Sequence, residues 1–583
     1  MQREEIAARA KAYIEAETEA SFRAEVEALL DKGDFKELED RFWRDLEFGT
    51  GGLRGMIGGG SNRMNTLVVR RATQGLAAYV KKAKPGKALS AAIAYDSRRY
   101  SDVFALDAAL VLAGNGIKTY LFTSLRPTPV LSFAVRKLGC DTGIVVTASH
   151  NPPAYNGYKA YWDSGAQVIE PHDVGIIDEV GRARDVRSLS KEEALAKGLL
   201  VMVDKEIDDA YAAMVKAKLF RPELIRREAK GVRIVYTPLH GTGGAPLTRV
   251  LGELGLDVIP VAEQFEPDGS FPTVSYPNPE EAAALKLALE LGAKVKADVV
   301  MATDPDADRL GIAVPDGAGG FALITGNQLG SLLLDYILLS RKELGSLPRK
   351  PACVKSIVTT GFQDRIAASY GCKLFACLTG FKWIAEEMRK FETDGQGYEF
   401  VFGTEESYGY LVETEVRDKD GVSAAAMTAE MTLYWRSKGK SLLDRMEELF
   451  REHGYFEELA ISKTFPGSDG MQKMASIMEG YRARQPKAIG GIAVESIADI
   501  KAGKRWKPGA EAAAEPTGLP SSDVIQWSLV DGTVVTVRPS GTEPKIKFYA
   551  SCRADASKGL DAAKAEAKDK LKRIEADIRT VVG

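Results

Sequence analysis

Four short stretches of the chain gather residue types that hold or move phosphate. The first is Thr147-Ala148-Ser149-His150-Asn151-Pro152-Pro153, which follows the apolar run Gly143-Ile144-Val145-Val146. That run reads as a buried strand, and Asn-Pro-Pro ends it because proline fixes φ and has no N–H to donate. Ser149 is thereby presented at the lip of a sheet, where its hydroxyl can meet a ligand. Alone, such a motif is more often a turn serine bonded to its own backbone; its company changes the reading.

The second stretch, Asp304-Pro305-Asp306-Ala307-Asp308-Arg309, comes straight after the strand-like Asp298-Val299-Val300-Met301-Ala302-Thr303. Three carboxylates at alternate positions repel one another unless a cation sits among them. Oxygen ligands on a compact loop suit Mg2+, and the offsets of a calcium EF-hand are missing. The alternative is a solvated acidic turn. The third stretch is Gly403-Thr404-Glu405-Glu406-Ser407-Tyr408-Gly409-Tyr410. A glutamate and a serine two apart offer the acceptor and the mixed donor/acceptor that grip vicinal sugar hydroxyls. The fourth is Arg538-Pro539-Ser540-Gly541-Thr542-Glu543-Pro544, between two strand-like runs. An arginine, two hydroxyls and a glycine-exposed backbone make a nest for a phosphate dianion; a hairpin turn would explain Ser-Gly-Thr but does not call for Arg538. A glycine-dense loop, Phe48 to Gly55, carries Arg54, and Lys382 follows a Gly turn; taken singly these are an ordinary turn and a surface lysine.

The elements that must position these loops share one rhythm of strand, polar or glycine-rich turn, helix and second strand. It runs from Ala91–Arg98 through a helix near 103–115 to Lys118–Phe122. It recurs from Val232–Tyr236 through His240-Gly241-Thr242-Gly243-Gly244 to Leu256–Val261, and again from Cys353–Val358 through a helix near 362–370 to Lys373–Cys377. Such units predict α/β layers with right-handed crossovers, in three domains of related build. After Tyr455, strand-like runs cluster before a closing helix at about 556–580, which predicts an α+β domain; residues 501–522, rich in Ala, Pro, Gly and Lys, read as a mobile surface loop. Residues 1–45 have helical spacing.

A chain of 583 residues exceeds one hydrophobic core, and roughly four domains are expected. A net charge of −3 gives no sign of a nucleic-acid or anionic-membrane binder. The five scattered cysteines read as reduced structural thiols. The charged amino terminus has no apolar signal core and no long apolar run occurs, so a cytoplasmic protein is expected.

Together, Thr-Ala-Ser-His-Asn-Pro, Asp-Pro-Asp-Ala-Asp-Arg, Gly-x-Glu-Glu-Ser and Arg-Pro-Ser-Gly-Thr-Glu, in this order and over nearly the whole chain, resemble the α-D-phosphohexomutase superfamily. The resemblance implies three similar α/β domains with mixed sheets and a C-terminal α+β domain around a central cleft. It divides the chain into a helical segment 1–45 packed on domain 1 and domains at 46–205, 206–325, 326–455 and 456–583. Ser149 matches the family's phosphoserine, and Asp304, Asp306 and Asp308, with Ser149, its Mg2+ ligands. Glu405 and Ser407 match its sugar-gripping pair, and Arg538, Ser540, Gly541 and Thr542 its phosphate loop. Arg54, Lys159, Arg309 and Lys382 fall where the family places basic residues.

The implied reaction interconverts glucose 1-phosphate and glucose 6-phosphate through phospho-Ser149, with glucose 1,6-bisphosphate as intermediate and activator. Lys382 is the candidate general base. His150 is read as orienting, because neighbouring side chains on an extended chain point apart. The partners expected are small sugar phosphates alone, on a monomer or homodimer. Tyr408-Gly409-Tyr410 after Ser407, together with the long N-terminal segment, looks most like the larger bacterial phosphoglucomutases and their phosphopentomutase relatives. Pentose or mannose phosphates are therefore the alternative substrates; a metal-dependent sugar phosphatase and a non-catalytic sugar-phosphate binder are the alternative classes.

Overall fold

The computed structural model of the chain describes residues 2–49, 51–465, 470–540 and 545–582. They form two compact units, Met1–Thr325 with Tyr408–Tyr434, and Gly326–Ser407 with Trp435–Gly583.

The first unit holds two sheets. One is built from β1 (Gly52–Met56), β2 (Ser90–Tyr95), β3 (Lys118–Phe122), β4 (Thr142–Val146), β5 (Tyr155–Trp162) and β6 (Leu200–Val203), in spatial order β1-β5-β4-β2-β3-β6. The other contains β7 (Arg233–Thr237), β8 (Asp257–Pro260), β9 (Val299–Thr303), β10 (Leu310–Pro315) and β11 (Phe321–Ile324), in order β11-β10-β9-β7-β8. The second unit repeats the theme with β12 (Pro351–Ser356), β13 (Lys373–Cys377) and β14 (Glu399–Glu405). A short strand, β15 (Gly409–Leu411), falls in the first unit.

One plan underlies all three sheets. The opening strand of the α/β repeat (β2, β7, β12) lies in the middle, and the strand reached after the next helix (β3, β8, β13) pairs parallel on one side. A third parallel strand (β4, β9, β14) pairs on the other side. Residues such as Ile93, Ile144, Val235, Val300 and Val354 on these strands are wholly buried, as strands covered on both faces must be. In the first two sheets the chain then turns back into an antiparallel strand, β5 or β10. The Ser149 loop follows β4, the aspartate loop follows β9, and Glu406-Ser407 follows β14. The predicted similarity of the three α/β repeats is thus present, and the candidate loops occupy equivalent places in it.

The amino-terminal segment forms helices Arg3–Ala16, Ala20–Lys32 and Phe35–Phe42, whose apolar faces meet through Ile6, Tyr13, Val26, Leu38 and Phe42. Buried Glu17 fixes them to helix Thr66–Ala83, accepting hydrogen bonds from the Leu67 N–H at 3.2 Å, the Tyr13 hydroxyl at 2.9 Å and the Thr66 hydroxyl.

The α+β sheet of the second unit comprises β16 (Tyr455–Thr464), β17 (Ala488–Ile489), β18 (Ile492–Asp499), β19 (Lys504–Trp506), β20 (Glu515–Pro516), β21 (Ile525–Leu529), β22 (Val534–Pro539) and β23 (Lys545–Ala554). Its order is β16-β23-β22-β21-β18-β19-β20, with β17 paired to β18. Helix Leu560–Val582 covers it through Leu571, Ile574 and Ile578. Residues 501–522 differ from the surface loop expected: β19 and β20 pair antiparallel and extend the sheet edge from β18. These strands are short, and Ala, Lys, Gly and Pro dominate the composition around them, so no alternation of apolar and polar residues announces them. Among the described residues no helix is long and apolar enough to cross a membrane.

A buried acidic pair closes the helix that begins at Gly421. Asp420 accepts hydrogen bonds from the Val422 and Ser423 N–H groups at 2.9 and 3.0 Å and from the Tyr211 hydroxyl at 2.7 Å. Burial and the facing Asp420 push the Glu413 carboxyl well above its ordinary range, so Glu413 donates its proton to Asp420. The folded chain therefore keeps a proton that the unfolded chain releases above the usual glutamate range, and stability falls as pH rises through and beyond that range. Glu413→Gln keeps a donor toward Asp420 and removes this release. Its melting temperature relative to the parent should rise between about pH 5 and about pH 8; parallel calorimetric profiles would refute the retained proton.

Candidate active site

Ser149 lies at the mouth of the β4–β5 connection, nearly buried, with φ of 51°. Its N–H donates to Thr147 Oγ1 at 2.8 Å, and its hydroxyl donates to Asp304 Oδ2 at 2.8 Å. The sequence placed His150 pointing away from Ser149 on an extended chain. The left-handed φ at Ser149 instead brings the ring round, and His150 Nδ1 lies 3.1 Å from Ser149 Oγ. Burial, then the Arg309 and Arg54 cations, hold His150 well below its ordinary pKa. Arg54, on β1, reaches the same loop by donating to Asn151 Oδ1 at 3.1 Å.

The three aspartates are buried at 0 to 1% exposure, and one ligand atom from each lies within 4.8 Å of the others. The loop is held by backbone as well as by charge. Pro305 O accepts the Thr242 N–H at 2.8 Å, and Asp306 O accepts the Thr128 N–H at 2.9 Å. Ala307, itself at φ of 51°, offers its carbonyl to the Gly421 N–H at 3.1 Å. A Cβ at Gly421 would meet the Ala307 and Arg309 carbonyls at 2.8 Å, so only glycine permits that approach. Asp304 Oδ1 accepts the Asp308 and Arg309 N–H groups at 3.2 and 3.1 Å.

Burial, Asp308 and Asp306 push the Asp304 carboxyl well above its ordinary range. Burial acts the same way on Asp306, but the Lys159 ammonium at 2.7 Å outweighs it and holds that carboxyl far below. Lys159 also lies 3.4 Å from Asp308. Oδ1 of Asp306 and Oδ1 of Asp308 are buried with no hydrogen-bond donor upon them. Unsatisfied buried carboxylate oxygens within one such cluster fit a hard dication that takes oxygen ligands. Arg309 completes the loop: its guanidinium donates to Glu280 and its Nε lies 4.0 Å from Asp304.

Two contributors escaped the sequence reading. Lys419 Nζ lies 3.0 Å from Asp308 and 3.1 Å from Asp418. It comes from Arg417-Asp418-Lys419-Asp420, which as sequence looks like a solvated charged turn. The Thr128 hydroxyl donates to Asp306 Oδ2 at 2.8 Å; an isolated Thr between prolines carries no signal at all.

In the second unit, Glu405 accepts the Gly380 N–H at 2.7 Å, which places Lys382, two residues on at the start of helix Phe381–Thr393, beside the glutamate loop. Glu406 accepts the Ser356 hydroxyl at 2.9 Å, and burial with Glu405 beside it pushes its carboxyl up to about 7. Ser407 is half-buried. Arg538, near the end of β22, donates to the Tyr549 hydroxyl. The Ser540 N–H donates to Lys545 O at 2.7 Å. Gly541 and Thr542 lie outside the described residues.

A nucleophile-type hydroxyl bonded to a buried carboxylate cluster with two lysines upon it defines a site for phosphoryl chemistry, on a thrice-repeated α/β plan. Comparison with known proteins gives the class its name. The phosphoglucomutase/phosphomannomutase alpha/beta/alpha domains I, II and III match residues 45–187, 209–318 and 325–453, and the family's C-terminal domain matches 486–577. A phosphopentomutase of Pongo abelii is 35% identical over 94% of this chain and 92% of its own. A phosphoglucomutase of Staphylococcus epidermidis is 36% identical over 88% of this chain and 91% of its own. The solved structure of a putative phosphomannomutase from Thermus thermophilus shares the fold with a TM-score of 0.67 at 23% identity, covering 92% of this chain and 99% of that one. This chain belongs to the phosphoglucomutase/phosphomannomutase family, within the α-D-phosphohexomutase superfamily, and is a mutase, an isomerase that moves a phosphoryl group within its substrate.

The charge of the aspartate loop makes a metal test possible without turnover. Mg2+ at about 100 times its Kd should stabilise the fold by about 2.7 kcal/mol, read as a rise in melting temperature that EDTA reverses. Asp308→Asn should erase the rise; a parent protein that melts alike in Mg2+ and in EDTA would refute a cation site.

Proposed function

We propose that the chain interconverts glucose 1-phosphate and glucose 6-phosphate, with Ser149 as phosphoryl carrier and glucose 1,6-bisphosphate as intermediate and activator. The observation that carries this reading is the bond between the Ser149 hydroxyl and Asp304 at 2.8 Å, inside a cluster of three buried carboxylates where Lys159 pairs with Asp306 and Asp308 and Lys419 with Asp308. Asp304, Asp306 and Asp308, with a phosphate oxygen on Ser149, would hold Mg2+, which supplies Lewis-acid polarisation of that phosphate.

The chain's own residues do the rest. Glu405 and Ser407 grip vicinal sugar hydroxyls, and Arg538, Ser540, Gly541 and Thr542 hold the phosphate that is not reacting. Arg54, Arg309, Lys159 and Lys419 offset the charge of two phosphates and orient the donor for in-line attack. The attacking sugar oxygen forms its bond to phosphorus as the bond from phosphorus to Ser149 Oγ breaks, and Lys382 takes the hydroxyl proton. The bisphosphate turns over, its other phosphoryl group passes to Ser149, and Lys382 returns a proton to the sugar oxygen so freed. His150 orients Ser149 at the 3.1 Å contact. All five cysteines are free and buried, which supports a reducing compartment, the cytoplasm.

A second reading, phosphopentomutase by the same chemistry, is favoured by the relative from Pongo abelii that aligns over 94% of this chain. A coupled assay with Mg2+ and a trace of glucose 1,6-bisphosphate, run on glucose 1-phosphate, ribose 1-phosphate and mannose 1-phosphate, separates the sugars. Turnover should be fastest with the glucose compound; turnover on ribose 1-phosphate alone would transfer the assignment to pentoses. Ser149→Ala should lose at least about 10³-fold in kcat while sugar-phosphate binding persists by calorimetry. Normal turnover in that variant would overturn the carrier role.

A further inference from the structure

One buried guanidinium gathers the carbonyls of the Ser149 loop. Arg98 Nη1 donates to Pro152 O at 2.9 Å and to Tyr155 O at 3.0 Å. Its Nη2 donates to the carbonyls of Ser149 and Asn151. Nε lies 3.3 Å from Asp96 Oδ2, and both side chains of this ion pair are fully buried. The four N–H directions of Nη1 and Nη2 are therefore taken by the loop, while Nε makes an ion-pair contact with Asp96 but no hydrogen bond. Asp96 ties in the near end of the same loop, accepting the Thr147 hydroxyl at 2.6 Å and the Ser101 hydroxyl at 2.8 Å. The guanidinium is covered by the Phe271 ring, 5.0 Å from its centroid. That cover can close because residue 269 is glycine: a Cβ there would meet Ser97 O and Arg99 N at 2.6 Å.

Four carbonyl oxygens converging on one point repel one another unless a cation stands between them. The turn that brings them together includes Ser149 at a left-handed φ of 51°, which a non-glycine residue holds only when its surroundings fix it. We propose that Arg98 is the positioning residue of the phosphoryl carrier: by pulling these carbonyls inward it holds Ser149 Oγ toward Asp304 in the orientation that transfer requires. This rests on the mutase reading of Ser149. Arg98 touches no reacting atom, and its effect reaches the reaction through the backbone.

Arg98→Lys keeps a charge for Asp96 but presents three donors from one point in place of a planar fork of five. The expected result is a fall in kcat of at least about tenfold with KM within about twofold of the parent. Hydrogen exchange in peptides spanning 147–157 should quicken about tenfold, with peptides from β2 and from helix Ser101–Gly114 unchanged. A kcat within about twofold of the parent, or unchanged exchange at 147–157, overturns the proposal. The parent enzyme's turnover in the same assay judges the mutase reading separately; if the parent is inactive, the exchange measurement still decides the role of Arg98. If Arg98→Lys does not fold, Phe271→Leu carries the test, since it thins the cover without touching charge. About threefold faster exchange in the same peptides then supports the proposal, and unchanged exchange overturns it.

Discussion

Everything in the first unit bends to the cost of burying three carboxylates within 4.8 Å of one another. An isolated buried charge is opposed by several kcal/mol of lost hydration, at order of magnitude, and like charges add to it. The chain meets this cost with cations and dipoles drawn from distant sequence. Lys159 comes from β5, Lys419 from beyond β15, and Thr128 from the first turn of helix Thr128–Lys137. The backbone N–H groups of Asp308 and Arg309 turn back on Asp304. A cluster assembled this way is strongly poised toward a further dication, and Ser149, bonded to Asp304, shares its field.

The three α/β repeats explain why the chemistry appears where it does. A parallel strand ends at the sheet lip, and the connection that follows must reverse direction within a few residues. Such reversals call for unusual backbone, and left-handed residues occur at Ser149, Ala307 and Tyr408 in the three corresponding loops. Tight reversals turn side chains and amides outward together. The same topological position has thus been filled with the serine proposed as phosphoryl carrier, with three clustered carboxylates, and with a glutamate-serine pair.

How much of this was legible in the sequence depended on where the signal resided. The loops stood out because proline, glycine and alternating aspartates are punctuated against β-branched strands, and period-two or buried runs such as Val299–Thr303 are unambiguous. Residues whose role is set by tertiary contact were invisible. Lys419 lies 111 residues beyond the carboxylate it meets, and Arg98 serves a loop about fifty residues away through backbone carbonyls, which carry no sequence identity. The direction of His150 was misjudged for a local reason: one left-handed φ reversed the alternation that an extended chain would impose. The edge hairpin at β19–β20 was missed because a strand of two or three residues leaves too little pattern to count.

The membership of Tyr408–Tyr434 in the first unit carries a consequence for how the protein is born. That segment brings Lys419 to the carboxylates and supplies Glu430, whose side chain accepts the Phe220 N–H at 3.0 Å and the Arg221 N–H. A ribosome that has just released Thr325 has delivered both sheets of the unit but not this piece. At ordinary elongation speeds the gap lasts roughly five to twenty seconds, during which Gly326–Ser407 emerges and must be set aside. The first unit is therefore completed out of order, by insertion of a late segment into an early scaffold, and no amino-terminal fragment ending at Thr325 contains a finished carboxylate cluster.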